Sequence, residues 1–168
     1  MNKGTKTAAI VFVLLVAVAV PLYFFVRPAD VEEGFLQING DVTNPLNLTV
    51  SELEAMPSSN MDATLDSSTH IEDEGTFTFT GVPVWTLLQE AGISDDATSV
   101  YIQAIDSYGT SLTVEEIQQN NQIMIVYKQD GEYLESYEEG GTGPLRLVIG
   151  SEEYAQLWVK NVVLLEVS

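Results

Sequence analysis

The 168-residue chain contains no cysteine. An exported domain built from it has no disulfide staples, and its core must supply stability unaided. Cations are nearly as scarce: 6 Lys and Arg stand against 25 Asp and Glu, for a formal net charge of -19. Lys3, Lys6 and Arg27 lie before the first acid, Asp30, so everything beyond Arg27 carries only Lys128, Arg146 and Lys160 as positive side chains. A surface of that sign repels phosphate backbones and anionic lipid, which excludes nucleic acid and charge-driven membrane binding; its simplest role is solubility. There is one histidine, His70. Hydrophobic residues make up 45% of the chain, enough at this length for the core of one ordinary domain.

One long hydrophobic run is present. Thr7 to Val26 holds twenty uncharged residues, with Lys3 and Lys6 before it and Arg27 and Pro28 after it. As a helix it spans about 30 Å, the thickness of a bilayer's hydrocarbon core. The flanking charges predict a cytoplasmic N-terminus and a body outside the cytoplasm, placing the protein in the cell membrane as a single-pass chain. A cleavable signal peptide is the competing reading, because Ala17-Val18-Ala19 has the small-x-small form; against it, the apolar run continues through Pro21 to Val26. The expected organisation is residues 1–27 as anchor, 28–34 as acidic linker and 35–168 as the folded domain. Asn47-Leu48-Thr49 matches an N-glycosylation acceptor, but three residues match often by chance.

Within the domain, short elements alternate. "FLQING" from Phe35 reads as a strand ending in a turn. Thr49 and Glu52 form a capping box for a helix that Pro57 stops. Ala63 to Ser67 reads as a strand, and "TFTFT" from Thr76 to Thr80 has the period of two that sends Phe77 and Phe79 to one face. A helix follows, with Pro83 near its start, Val84, Leu87, Leu88 and Ala91 on one face and Gly92 as its end cap. Val100 to Ile105, Ile123 to Lys128, "LRLVI" and "VKNVVLLEV" read as strands, Thr113 and Glu116 box another helix, and "EEYAQLW" makes a short helical turn. Strands outnumbering short interspersed helices predicts an α+β domain with a mixed sheet.

The order "INGDVTNPLNLTVSELEAMP", "FTGVPVWTLLQEAGI", "VYIQAIDSYGTSLTVEEI", "GPLRLVI" and "LWVKNVVLLEV" resembles the oxidoreductase molybdopterin-binding domain, the sulfite oxidase fold, from about Phe35 to Val167. The resemblance implies a molybdenum-pterin cofactor held on loops at one edge of the sheet. It also places a metal-ligating cysteine where this chain has Ser67, after Thr64-Leu65-Asp66. A serine hydroxyl does not replace a soft, readily deprotonated sulfur donor. Where relatives place basic and amide groups for the pterin phosphate, this chain has Glu72, Asp73 and Glu74. A dianion beside three carboxylates in a partly dry cleft costs several kcal/mol, about one or more per close like-charge pair. The loop therefore reads as a vestige, and the expectation is a domain with no cofactor, the alternative being molybdopterin bound without a cysteine ligand.

Other positions match the family in part. Asp106 and Tyr108 lie in "AIDSYG", which resembles the family's Asp-Gly-Tyr turn with Ser107 in place of glycine, putting in doubt any backbone approach that needs a bare Cα. Arg146 and Lys160 match its basic positions. With Ser67 these make a vestigial cofactor-binding set: Ser67, Asp106, Tyr108, Arg146 and Lys160. For the two cations, pairing with neighbouring acids is the expected role. "GGTGP", Gly140 to Pro144, could cradle an anion with backbone amides, yet it lacks the following lysine and helix of a phosphate loop and reads rather as a flexible lead into a strand. No catalytic or metal-binding set is expected: His70 is too close to Ser67, Ser68 and Thr69 in sequence to build a triad, and its acidic neighbours lack a calcium-loop spacing. Trp85, Trp158, Tyr101, Tyr127 and Tyr154 read as core and sheet-face aromatics. The sequence thus supports three functions: a membrane-anchored binding or scaffold module for an unknown small ligand or partner protein, with the molybdenum chemistry lost; a molybdopterin-dependent oxidoreductase without the cysteine; or a receptor using the acidic loop.

Overall fold

The computed structural model describes residues 34–65, 74–152 and 155–168. The predicted anchor, most of the linker, and the loop with Ser67, His70, Glu72 and Asp73 lie outside them. No helix among the described residues is long and apolar enough to cross a membrane.

Ten strands form two five-stranded sheets where the sequence predicts one mixed sheet. The first sheet runs β2-β1-β10-β5-β6, comprising β1 (Phe35–Gly40), β2 (Leu46–Thr49), β5 (Ser99–Ala104), β6 (Gly109–Thr113) and β10 (Val162–Val167). It is mixed, because β1 pairs parallel with β10 while its other pairings are antiparallel. The second, wholly antiparallel, contains β3 (Ser59–Leu65), β4 (Gly75–Pro83), β7 (Ile123–Gln129), β8 (Glu132–Tyr133) and β9 (Arg146–Ile149). Strands β2, β6 and β8 escape the sequence reading because each is short and carries too few apolar residues to show a period.

Strand β4 covers one flank of β7 from Met124 to Gln129. Strands β8 and β9 must then share the other flank, β9 against Ile123–Val126 and β8 against Lys128 and Gln129. The excursion from Leu134 to Leu145 leaves the sheet between them.

Among the described residues three short α-helices connect the strands, and each begins or ends where the sequence places its cap. Helix α1 (Val50–Ala55) and helix α3 (Val114–Gln119) open with complete capping boxes, Thr49 with Glu52 and Thr113 with Glu116. Helix α2 (Val84–Ala91) buries Val84, Leu87, Leu88 and Ala91 and ends at Gly92, whose φ of 66° is left-handed. The single apolar residue that α1 and α3 each bury completely, Leu53 and Ile117, docks them on the core. Each such burial contributes about 1.5–3 kcal/mol.

The core joins both sheets. Every residue of β9 is buried, and Phe79 on β4 packs edge-on against Trp158 with ring centroids 5.6 Å apart. The alternation of Thr76, Phe77, Thr78, Phe79 and Thr80 has two consequences. Phe79 is fully buried, while the threonines pair across the exposed face with Thr64, Asp62 and Asn60 at 3.0, 2.7 and 2.9 Å. Gly81 marks a register shift between β4 and β7, where an added Cβ would lie 2.2 Å from the Ile125 carbonyl oxygen.

Two predictions follow from this packing. Gly81→Ala forces backbone against backbone and costs about 1–3 kcal/mol, read as a lower urea midpoint with unchanged slope. Hydrogen bonds from the Thr113 hydroxyl and backbone N–H favour the Glu116 carboxylate and hold its pKa below the ordinary glutamate value. That stability is present above the unfolded-state pKa and lost as pH falls through the folded one. Glu116→Gln therefore melts lower than wild type at neutral pH, and the difference shrinks as pH drops below about 4. A constant difference across that range would show that the box is not the cause.

Candidate functional site

At the point where β8 and β9 share the flank of β7, a cleft of about 460 Å³ opens. Its walls come from Leu65 and Phe77 on β3 and β4, from the β7–β8 hairpin, and from Gly141 and Thr142 of the excursion; Arg146 and Lys160 also line it. Leu65, the last residue of β3, is two positions before Ser67 in the sequence.

The two cations are held differently. Arg146 opens β9, is 4% exposed, and sets its guanidinium carbon 5.1 Å from the centre of the Trp158 ring. The ring is itself fixed by donation from Trp158 Nε1 to the Ile149 carbonyl at 3.1 Å. A planar, weakly hydrated guanidinium tolerates such a site where an ammonium does not. Lys160 is exposed and makes no ion pair with any described residue. Lys128 is paired with an acid: its Nζ lies 3.0 Å from Glu54 Oε1 and 4.2 Å from the centre of the Tyr133 ring. The Tyr133 hydroxyl donates to the same carboxylate at 2.7 Å, so helix α1 pins the β8 wall of the cleft. Those two bonds, the tyrosine's first, hold Glu54 below the usual carboxylate range, and the Glu54 bond pushes the Lys128 pKa up.

Of the five predicted site residues, the structure brings Arg146 and Lys160 together in one cleft. Asp106 and Tyr108 are exposed and sit in the β5–β6 turn, outside the cleft lining. That turn touches the site through the chain: the Ile105 N–H donates to the Asn161 carbonyl, next to Lys160, at 3.0 Å. Ser107 adopts a φ of 71°, the left-handed conformation that glycine takes most readily. Asp106 closes the turn by accepting from the Tyr108 N–H at 2.9 Å. Ser67 lies outside the described residues.

Sequence reasoning missed the cleft residues Gln129, Glu132, Tyr133, Leu134 and Glu135. Nothing in their spacing marks them, because they converge through the β7–β8 hairpin and the excursion. The Gly140–Pro144 run is tied down where a flexible lead is expected. Gly141 N–H and Gly143 N–H donate to Ser136 and Glu135 carbonyls, both at 2.8 Å, and Asn161 holds the other side of the run.

Chemically, the cleft offers an ammonium, a stacked guanidinium, the Thr142 hydroxyl and the Gln129 amide, with Glu132 and Glu135 on the hairpin side. Such a set suits a polar, anionic ligand end. No group of three or more His, Asp or Glu side chains that could hold a metal occurs among the described residues.

The comparisons with known proteins point the same way. The model of the oxidoreductase molybdopterin binding domain matches residues 25–168. Among solved structures, the fold is similar to the sulfane dehydrogenase SoxCD from Paracoccus pantotrophus, with a TM-score of 0.68 and 24% identity. The likeness covers 84% of this chain and 39% of that one, so this chain spans well under half of that relative's length. No curated protein matches the sequence.

These findings correct the expectation of a domain without a cofactor: the family is a molybdopterin-binding one. That expectation weighed the missing thiolate and the acids of the Ser67 loop, and gave too little weight to Arg146 and Lys160, which the fold gathers in one cleft. The residues fit the group in part. Lys160, Arg146 and Thr142 suit its anionic pterin end, whereas the chain has no cysteine sulfur to give the metal. On the extent of the family match, this chain belongs to the oxidoreductase molybdopterin-binding domain family.

Proposed function

We propose that this protein is a membrane-anchored, extracytoplasmic binding module that holds a molybdopterin by its pterin end and gives the metal no protein sulfur. The observation that carries this reading is the convergence of Arg146 and Lys160, two of the three cations beyond Arg27, on one cleft beside the exit of β3. In a chain with 25 acids, two unlike segments deliver positive charge to the same place. The anchoring half of the proposal rests on the twenty uncharged residues from Thr7 to Val26 and the lysines before them.

A bound molybdopterin supplies a redox-active metal and its own dithiolene sulfurs; the chain supplies position and charge. Lys160, free of acid partners among the described residues, donates to an anionic oxygen at the rim. Arg146 contributes a fixed positive charge from below, where burial limits screening. Phe77 and Leu65 give the cleft its apolar side, and the hydrogen bond to Glu54 holds Tyr133 in its wall.

Without a cysteine, the reading separates binding from turnover. It differs from the second reading, an oxidoreductase that turns over without the thiolate, in its redox behaviour.

The full chain, purified from membranes of a host that makes molybdopterin, is expected to yield about one pterin per chain after acid release and oxidation to the fluorescent form. Lys160→Ala removes a charge-assisted hydrogen bond of about 1.5–3 kcal/mol and lowers that yield about tenfold or more at limiting cofactor. Pterin-free wild-type protein, or a Lys160→Ala variant loaded like wild type, would overturn the cleft assignment. Stoichiometric molybdenum that cycles between oxidation states under turnover would favour the second reading. The anchor is checked separately: the chain is expected to stay in the membrane fraction after alkaline carbonate washing, with its C-terminal domain open to protease added from outside the cell.

A further inference from the structure

Asn161 lies directly between Lys160, at the cleft, and β10. Its backbone φ is 55°, a left-handed conformation that asparagine adopts more readily than most residues, and the residue is buried to 9% exposure. Its donors all go to one place. The side-chain Nδ2 donates to the carbonyls of Gly141 at 3.1 Å and Gly143 at 2.6 Å, and its backbone N–H donates to the carbonyl of Thr142 at 2.9 Å. Three consecutive carbonyl oxygens of the cleft loop are thus turned onto a single residue.

This has a consequence for charge. In a trans peptide the C=O and the following N–H point in opposite directions. With the Gly141 carbonyl fixed on Asn161, the Thr142 N–H points away from Asn161. The other loop N–H groups are engaged: Gly141 and Gly143 donate to Ser136 and Glu135, and Pro144 has none. Thr142 lines the cleft, and neither its N–H nor its hydroxyl bonds to another described residue. The loop has its acceptors withdrawn and a donor pair left over, beside the Lys160 ammonium that the same asparagine anchors through the chain.

We propose that Asn161 is the positioning residue of the cleft: by drawing the Gly141, Thr142 and Gly143 carbonyls onto itself it makes the loop a donor surface, and so sets the site to take an oxyanion. The inference rests on the reading of this cleft as the ligand site, but not on the ligand being a pterin. Asn161 acts through Thr142 and Lys160 and need not touch the ligand. The acids Glu132 and Glu135 line the same cleft, and without the asparagine side chain the Gly141 and Gly143 carbonyls would lose the donor that holds them.

The test uses inorganic phosphate as the probe and the full chain in detergent micelles, with the Thr142 amide followed by NMR. Asn161→Gly keeps the left-handed backbone and removes the side-chain donor. In wild type, phosphate is expected to shift the Thr142 amide saturably, and in Asn161→Gly the apparent dissociation constant is expected to rise at least about tenfold, with faster hydrogen exchange at Gly141 and Gly143. Ile117→Val, a core change on α3 away from the cleft, serves as the control for general destabilisation. It is expected to leave the phosphate response intact. A wild-type amide that ignores phosphate, an unchanged response in Asn161→Gly, or an equal loss in Ile117→Val would each overturn the proposal. Phosphate binding that depends on Asn161 in a protein carrying no pterin would sustain it while sinking the cofactor reading.

Discussion

The stretch from Trp158 to Val162 serves both sheets, and the site depends on that double duty. Val159 forms an isolated bridge to Leu147 and accepts its N–H at 2.8 Å, so this end belongs to the second sheet. Three residues later Val162 donates to Leu145 at 2.8 Å and enters β10, the centre of the first sheet. Between these fixed points the chain has no freedom, and it is there that Lys160 and Asn161 stand. Trp158 at one end supports Arg146, and Asn161 at the other supports the glycine loop. The cleft is therefore built where the two sheets are sewn together, which gives its charged groups a rigid footing.

Much of the fold could be read from residue patterns. The two Thr–Glu capping boxes and the Gly92 cap were visible because helix ends leave backbone groups that only certain side chains satisfy. The alternation of Phe77 and Phe79 was visible because a sheet has two faces. The division into two sheets was not, since pairing partners are set by tertiary contact and leave no local signal. Neither was the break of the last strand at Lys160 and Asn161, for a run as apolar as "VVLLEV" hides a two-residue interruption at its start.

The site was legible only where the family resemblance reached it. Arg146 and Lys160 matched by position, and the structure places them together. The environment of Lys160 was misjudged, because net charge suggests that any cation will find an acid, whereas this exposed lysine makes no ion pair with a described residue. Arg146 is buried and stacked on Trp158. Tyr133 fell outside any recognisable motif, and Thr142 and Asn161 lay in quoted segments without being singled out. What brings them in is the hairpin and the excursion between β8 and β9, whose path depends on how β7 divides its flank.

The three cations beyond Arg27 stand in three settings: Lys128 inside the clamp with Glu54, Arg146 against an indole ring, and Lys160 at the mouth. Around them lies a body whose acids project a repulsive field well past contact range. Dissolved ions mute charge beyond about 8 Å at physiological strength, and mute a contact at hydrogen-bond range far less. In ordinary anion-binding proteins salt competes with the ligand. Here it also lifts the long-range barrier to entry, so moderate brine should speed anion capture where it slows that of a basic protein.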